Sequence, residues 1–315
     1  MPTARSGYVD VVRDTEVTFP AGEVVGTGII EAVLPLDAQM AAAVAAADGD
    51  AGQDLVAVIV DRTPFHPVDH TWPDQPADRG LVGGVDVVTC VAGAESPEGE
   101  VFFGEQIPVR RGDPAWTWFV AHIVPAADAA THGLATGAEV PLHVGEELRR
   151  GLSRGHSACH LAALAMNQAT AEFWDKDPGR TDSLGHPDLD SLTITLSRIE
   201  PDGALDVYRL GKSVRKKGLR SAELLSRLLE VQDTAQGILA TWISAGGSAV
   251  IETEGDTRLT ARRRWRAELP TGAVEIPCGG THVGRLEELG AVELTYESTE
   301  DGFRVLTRVR KAADA

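Results

Sequence analysis

Gly155-His156-Ser157-Ala158-Cys159-His160 and, far downstream, Pro277-Cys278-Gly279-Gly280-Thr281-His282-Val283 decide how this chain is read. The first stretch opens an apolar segment in which His156, His160, Leu161, Leu164, Ala165 and Phe173 recur at helical spacing. That spacing predicts a helix projecting both imidazoles from one face. The second stretch is glycine-rich, and glycine lets a loop bend until Cys278 and His282 face one point. Three imidazoles and a thiol form a donor set suited to a tetrahedral zinc. A His-x-x-x-His pair on an apolar helix is equally compatible with ordinary core or surface histidines. The joint pattern is the stronger signal, because the chain has only nine His and three Cys.

Around these stretches lies a chain of 315 residues, long enough for two ordinary domains, with the 43% apolar and 24% charged content of a globular protein. Residues 1–8 lack the apolar core of a signal peptide, and the alanine-rich run 41–47 is too short to span a bilayer, so no membrane association is expected. Three cysteines, an odd number, form no disulfide framework. A reducing, cytoplasmic setting is expected, where Cys278 stays available as a ligand while Cys90 and Cys159 serve as small core residues. The net charge of −18 argues against a general nucleic-acid surface, and DNA is not an expected partner. Positive charge is nevertheless gathered into two groups. Arg209, Lys212, Arg215, Lys216, Lys217 and Arg220 form one, and Arg258, Arg262, Arg263, Arg264 and Arg266 the other. Each reads either as a solvated face or as a local phosphate-contacting strip.

Short apolar runs separated by Gly, Pro and Asp fill the first half. Val9-Asp10-Val11-Val12, Glu16-Val17-Thr18-Phe19, Gly28-Ile29-Ile30 and residues 55–60, 85–91, 100–103 and 117–122 read as strands, a spacing that predicts a small barrel. Residues 37–47 read as a short helix or loop. In the second half, residues 191–197 alternate as a strand, and Ser221 is expected to cap one long amphipathic helix ending at Gly246-Gly247. Residues 259–265 read as a strand, and 292–296 with 303–309 as a closing hairpin. Other chemistries are absent: Gly26-Thr27-Gly28 lacks the third glycine of a dinucleotide loop, and no Walker loop or Gly-x-Ser-x-Gly elbow occurs. Ser157 stands where a His-Glu-x-x-His protease needs Glu.

Gly-His-Ser-Ala-Cys-His-Leu followed later by Pro-Cys-Gly-Gly-Thr-His-Val resembles the editing domain of alanyl-tRNA synthetases and of the free-standing AlaX-type editing proteins, part of the alanyl-/threonyl-tRNA synthetase editing family. Asp61-Arg62-Thr63-Pro64-Phe65-His66-Pro67 and Gln75-Pro76-Ala77-Asp78-Arg79-Gly80 resemble that family's other signature. Here His66 replaces the usual Tyr, and Val68 to Asp74 replaces flexible glycines. The resemblance implies an α+β protein: a small N-terminal β-barrel-like domain over residues 1–148, then a two-layer α+β zinc-binding editing domain over 149–315. It implies a zinc-dependent, trans-acting hydrolase that cleaves the aminoacyl ester of a mischarged tRNA, usually Ser- or Gly-tRNA(Ala). The zinc ligands carry over to His156, His160, Cys278 and His282. Thr63 is the expected reader of the amino-acid side chain, with His66, His70 and Gln75 shaping its pocket and basic groups holding the acceptor stem. The altered turn leaves open a threonyl or non-standard aminoacyl substrate in self-protection. A zinc-structured tRNA-binding module without hydrolysis, or a hydrolase of small esters or amides, also remains open.

Overall fold

The computed structural model describes residues 13–37, 40–42, 44 and 54–310. The strand expected at Val9-Asp10-Val11-Val12 and most of the alanine-rich run lie outside them. The chain divides into two compact units. One reaches up to Arg149 and takes in Thr253–Arg262; the other comprises Arg150–Glu252 and the chain from Arg263 onward.

The first unit is built on strands β1 (Glu16–Val17), β2 (Val25–Pro35), β3 (Leu55–Val60), β4 (Arg62–Thr63), β5 (Gly80–Val82), β6 (Val85–Val87), β7 (Thr89–Glu95), β8 (Val101–Phe103), β9 (Thr117–Pro125) and β10 (Glu139–Val144), and carries the short helix α1 (Ala126–Thr131). Eight of the strands form one sheet in the order β6-β5-β10-β2-β3-β9-β7-β8, while β1 and β4 pair in parallel. Strand chemistry follows burial. Along β10 exposed and buried residues alternate, so Val140, Leu142 and Val144 face the core. β3 and β9 are apolar on both faces because alternate residues feed two cores: Val58, Val60, Val120 and Val124 one, Ala57, Ile59, Phe119 and Ala121 the other.

The ladder is open, ending on β6 and β8, so the barrel expected from strand spacing is not closed. It curls instead. Val88 alone parts β6 from β7, yet β6 pairs with β5 and β7 with β9, at separated places in the sheet. Spacing of short strands does not distinguish a curled open sheet from a closed one.

The second unit contains most of helix α2 (Glu146–Ala169), then α3 (Leu189–Thr193), β11 (Ile194–Glu200), β12 (Gly203–Arg209), α4 (Lys212–Lys216), α5 (Ser221–Ser226), α6 (Leu228–Ala245), β13 (Ala249–Thr253), β14 (Arg263–Leu269), β15 (Gly272–Pro277), β16 (Ala291–Ser298) and β17 (Gly302–Arg310). An antiparallel sheet β11-β12-β17-β16 and a smaller sheet β13-β14-β15 share one core with the helices. Ala158, Leu161 and Ala165 of α2 and Val231, Leu239 and Trp242 of α6 pack there with Tyr208, Leu294 and Phe303. The edge strand β16 is covered by side chains of α6. Gln236 accepts from the Leu294 amide and donates to the Val292 carbonyl, both at 2.8 Å, and Gln232 accepts from the Tyr296 amide. Backbone groups that would otherwise template another strand are thereby satisfied.

Three expected elements differ. Ser191-Leu192-Thr193 is helical, because Asp188 accepts from the Ser191 amide and caps α3, so the strand begins only at Ile194. The long helix after Ser221 is broken at Arg227, and Arg220, not Ser221, occupies the cap position, without a side-chain cap. Leu259 is not in a strand. Its amide donates to the Thr15 carbonyl and its side chain is buried in the first unit's core, so β14 starts at Arg263.

Candidate metal centre

Helix α2 lies against the turn between β11 and β12 through a glycine. A Cβ at Gly155 would sit 2.4 Å from both the Glu200 and Gly203 carbonyl oxygens, so only glycine permits this approach. The next residue is His156, and one turn later comes His160, their ring centroids 4.7 Å apart. The loop after β15 brings the other two candidates. Cys278 Sγ lies 3.4 Å from His156 Nε2 and 3.3 Å from His282 Nε2. The ligating atoms of His156, His160, Cys278 and His282 all lie within 4.8 Å of one another. Neither Gly279 nor Gly280 takes a positive φ, so the loop bends to this shape without left-handed backbone.

This geometry fits a tetrahedral ion. With Zn–N about 2.0–2.1 Å and Zn–S about 2.3 Å, tetrahedral neighbours stand roughly 3.3–3.6 Å apart. The two sulfur–nitrogen separations already match. His160 offers a second test: its Nε2 is buried and has no hydrogen-bond partner among the described residues. Native proteins rarely leave such an atom unpaired, and a metal would use its lone pair. Burial also lowers the His160 pKa to about 4, which keeps the ring neutral and its lone pair free at neutral pH.

Ser157, noted in the sequence only as the residue in place of a protease Glu, orients the site. Its Oγ lies 3.1 Å from His282 Nδ1 and accepts from the Val283 amide at 3.1 Å. With Nδ1 as the donor, the lone pair of His282 Nε2 faces the cluster. Ser153 Oγ donates to Thr281 Oγ1 at 3.0 Å, a second tie between helix and loop. Ser157→Ala is therefore expected to weaken zinc binding roughly 10- to 100-fold with the fold retained, measured by competition against a chromogenic chelator.

The 61–80 segment belongs to the first unit, and its candidates are buried. Thr63 is fully buried, and its hydroxyl lies 2.8 Å from His122 Nε2 while accepting from the Phe65 amide at 3.1 Å. His122 Nδ1 lies 3.0 Å from the Val58 carbonyl, an arrangement that makes Nδ1 the donor and leaves Nε2 to accept the Thr63 proton. Nothing in the sequence around His122 signals this partnership. His66 packs edge-on against Phe19 with centroids 4.9 Å apart, and its Nδ1 has no partner among the described residues. Burial, opposed by Asp78, lowers its pKa to about 4. Gln75 is buried, and His70 stacks on Trp118 at 5.6 Å.

Asp78 is the keystone of this segment, and motif reading named it without a role. Its carboxylate takes both Nε and Nη2 of Arg149, with Nε at 2.9 Å, and accepts from the His66 amide at 2.6 Å. Arg149 also donates to the Pro64 carbonyl at 2.7 Å. Of the two basic groups, three of the five 258–266 arginines meet carboxylates: Arg258 meets Asp14 and Asp256, Arg264 meets Glu275 at 3.8 Å, and Arg266 meets Glu252 and Glu268.

The fold and the site define a mixed α and β protein with several sheets and a three-histidine, one-cysteine cluster able to hold a metal ion. No family model matches the chain. It is similar to the alanyl-tRNA editing protein AlaX-M of Pyrococcus horikoshii, with 24% identity over 243 residues, covering 77% of this chain and 81% of that protein. It is also similar to the alanine–tRNA ligase of Mesorhizobium japonicum, with 25% identity over 249 residues, covering 78% of this chain but 24% of the ligase. The resemblance to AlaX-type editing proteins read from the motifs therefore holds over most of the chain. Among the described residues no helix is long and apolar enough to cross a membrane.

Proposed function

We propose that this chain is a zinc-dependent aminoacyl-tRNA deacylase that acts in trans on a mischarged tRNA in the cytoplasm, with Ser- or Gly-tRNA(Ala) as substrate. The observation that carries the reading is the convergence of His156, His160, Cys278 and His282, with the buried lone pair of His160 unused by protein, in a chain similar to a named editing protein. A zinc ion held there supplies a Lewis acid beside an ester that is already activated. The chain's own groups supply the rest. Ser157 fixes the ring orientation of His282, and the Gly280 amide donates toward Cys278 Sγ at 3.5 Å, which helps to orient the sulfur.

Thr63, His66 and Gln75 are the proposed readers of the amino acid. Held by His122 and the Phe65 amide, the Thr63 oxygen has one acceptor position left, which suits a hydroxyl donor such as serine. A site built for that bond discriminates against alanine, because the missing partner leaves a polar group unpaired. Burial lowers the His66 pKa to about 4, so this ring is a weak base and is assigned an orienting role.

The test is a deacylation panel of Ser-, Gly-, Thr- and Ala-charged tRNA(Ala) with the purified chain. Ser-tRNA(Ala) is expected to be hydrolysed fastest and Ala-tRNA(Ala) least. Binding of all four without hydrolysis would establish a tRNA-binding module instead, and equal hydrolysis of an aminoacyl ester lacking the acceptor stem would establish a small-ester hydrolase.

A further inference from the structure

A cavity of about 740 Å3 opens on the second unit, bordered by Arg209, Lys212, Ser213, Arg215 and Ser221 and, on the β16–β17 turn, by Glu300 and Asp301, the latter already engaged by Arg209. It is separate in sequence from the metal cluster, and its lining is chemically uneven. From residue 207 to residue 222 the sequence has six basic side chains and no Asp or Glu. Three of the six have partners. Lys217 donates to the Pro178 carbonyl, Arg220 is held by Asp175 and Glu223, and Arg209 meets Asp301 at 3.4 Å. Lys216 lies beyond the lining, on the exposed side of α4. Lys212 and Arg215 border the cavity with no carboxylate partner among the described residues, in a chain whose net charge is −18. Where acids outnumber bases so heavily, two unmatched cations beside one cavity form a local anion-attracting point.

Ser221 supplies an independent sign. It is 6% exposed, borders the cavity, and its Oγ is buried with no hydrogen-bond partner among the described residues. It does not cap α5, the role its position in the sequence promised. An unsatisfied buried hydroxyl is costly, and here it calls for a partner outside the protein. A hydroxyl, an ammonium and a guanidinium bordering one cavity form a set that recognises phosphate oxygens.

We infer that this cavity is a phosphate-binding site that grips the sugar–phosphate backbone of the tRNA, with Lys212, Arg215 and Ser221 as its contacts. The inference rests on the deacylase reading for its choice of RNA. It assigns affinity to this group of bases and not to the 258–266 arginines, of which Arg258, Arg264 and Arg266 already meet carboxylates.

The experiment measures binding of uncharged tRNA to the full chain over a salt series, which requires no hydrolysis. In Lys212→Ala/Arg215→Ala, binding at low salt is expected to weaken on the order of tenfold or more. The slope of log K against log salt should fall by about 1.4–1.8, the contribution of two phosphates. Ser221→Ala should weaken binding roughly three- to tenfold with the slope unchanged and without lowering the melting temperature of the free chain, an outcome a purely structural serine would not give. Arg258→Ala should alter neither affinity nor slope. Both replaced cations are exposed, so the double variant is expected to fold, checked by circular dichroism. Unchanged affinity and slope in the double variant overturn the inference. Inorganic phosphate binding that is lost in Ser221→Ala, with tRNA binding intact in every variant, overturns it too, because the site then serves a free phosphate. Normal tRNA binding that responds to these variants, with no hydrolysis of any charged tRNA, sinks the deacylase reading alone.

Discussion

Asp78→Ala is expected to destabilise the first unit by about 3–5 kcal/mol, the largest loss for any single polar substitution in the 61–80 segment. Asp78 is 0% exposed and Arg149 4% exposed, and the carboxylate meets the guanidinium through two nitrogens while also receiving the His66 amide. Removing it leaves a buried cation and an unsatisfied amide, and that uncompensated burial dominates the loss. The Pro64 carbonyl retains its bond from Arg149, which soothes the cation only in part. Asp78→Asn keeps the shape and one acceptor and should lose less. The contrast is Arg304→Ala: Arg304 and Glu297 are both more than two-fifths exposed, and breaking that pair should shift stability by less than about 1 kcal/mol. Urea unfolding monitored by circular dichroism makes the comparison. A loss under 1 kcal/mol for Asp78→Ala would mean that the pair does not hold the segment. Asp78→Leu/Arg149→Met should recover part of the loss, because replacing both charges removes the stranded cation.

The four-donor cluster was legible because its residues sit in two short, chemically rare strings. Ser157 and His122 were not legible. Each acts through one hydrogen bond to a residue distant in sequence, His282 and Thr63 respectively, and no local spacing encodes such a contact. The two-residue and alternating patterns found most strands, since each sheet buries alternate residues. They misled at 191–197, where an aspartate cap outweighed alternation, and at 259–265, where Leu259 satisfies the core of one unit while the strand that follows belongs to the other. Curl against closure in the first sheet depends on which strands pair at its ends, a long-range property that strand propensity does not carry. Ser221 shows the same limit in reverse: its sequence context promised a helix cap, and its hydroxyl instead borders a cavity without a partner.

His160→Ala is expected to abolish both stoichiometric zinc binding and hydrolysis of Ser-tRNA(Ala), with loss of metal affinity of at least about 100-fold. The residue is a sensitive choice because its buried Nε2 has no other use among the described residues, so its removal leaves the protein's own hydrogen bonds intact. His156 and Cys278 have further contacts, which makes their variants harder to interpret. A small side chain at 160 opens space beside Trp265, whose ring centroid lies 5.2 Å from His160 and 5.6 Å from His282. Trp265 is fully buried and thus reports on the same spot. Adding zinc to metal-stripped wild type should change its fluorescence; His160→Ala should show no saturable change, and Trp265→Phe identifies the signal. Metal content by mass spectrometry, fluorescence titration and the deacylation rate then give three separate readouts. Retention of one zinc equivalent with full hydrolysis in a folded His160→Ala chain would place the metal elsewhere. Loss of zinc with hydrolysis unimpaired would make the ion a fold-holding element and move the chemistry onto other side chains. Loss of all three together ties hydrolysis to the helix histidines, because a wholly structural ion would be betrayed by a fall in melting temperature matching the fall in rate across Ser157→Ala and His160→Ala.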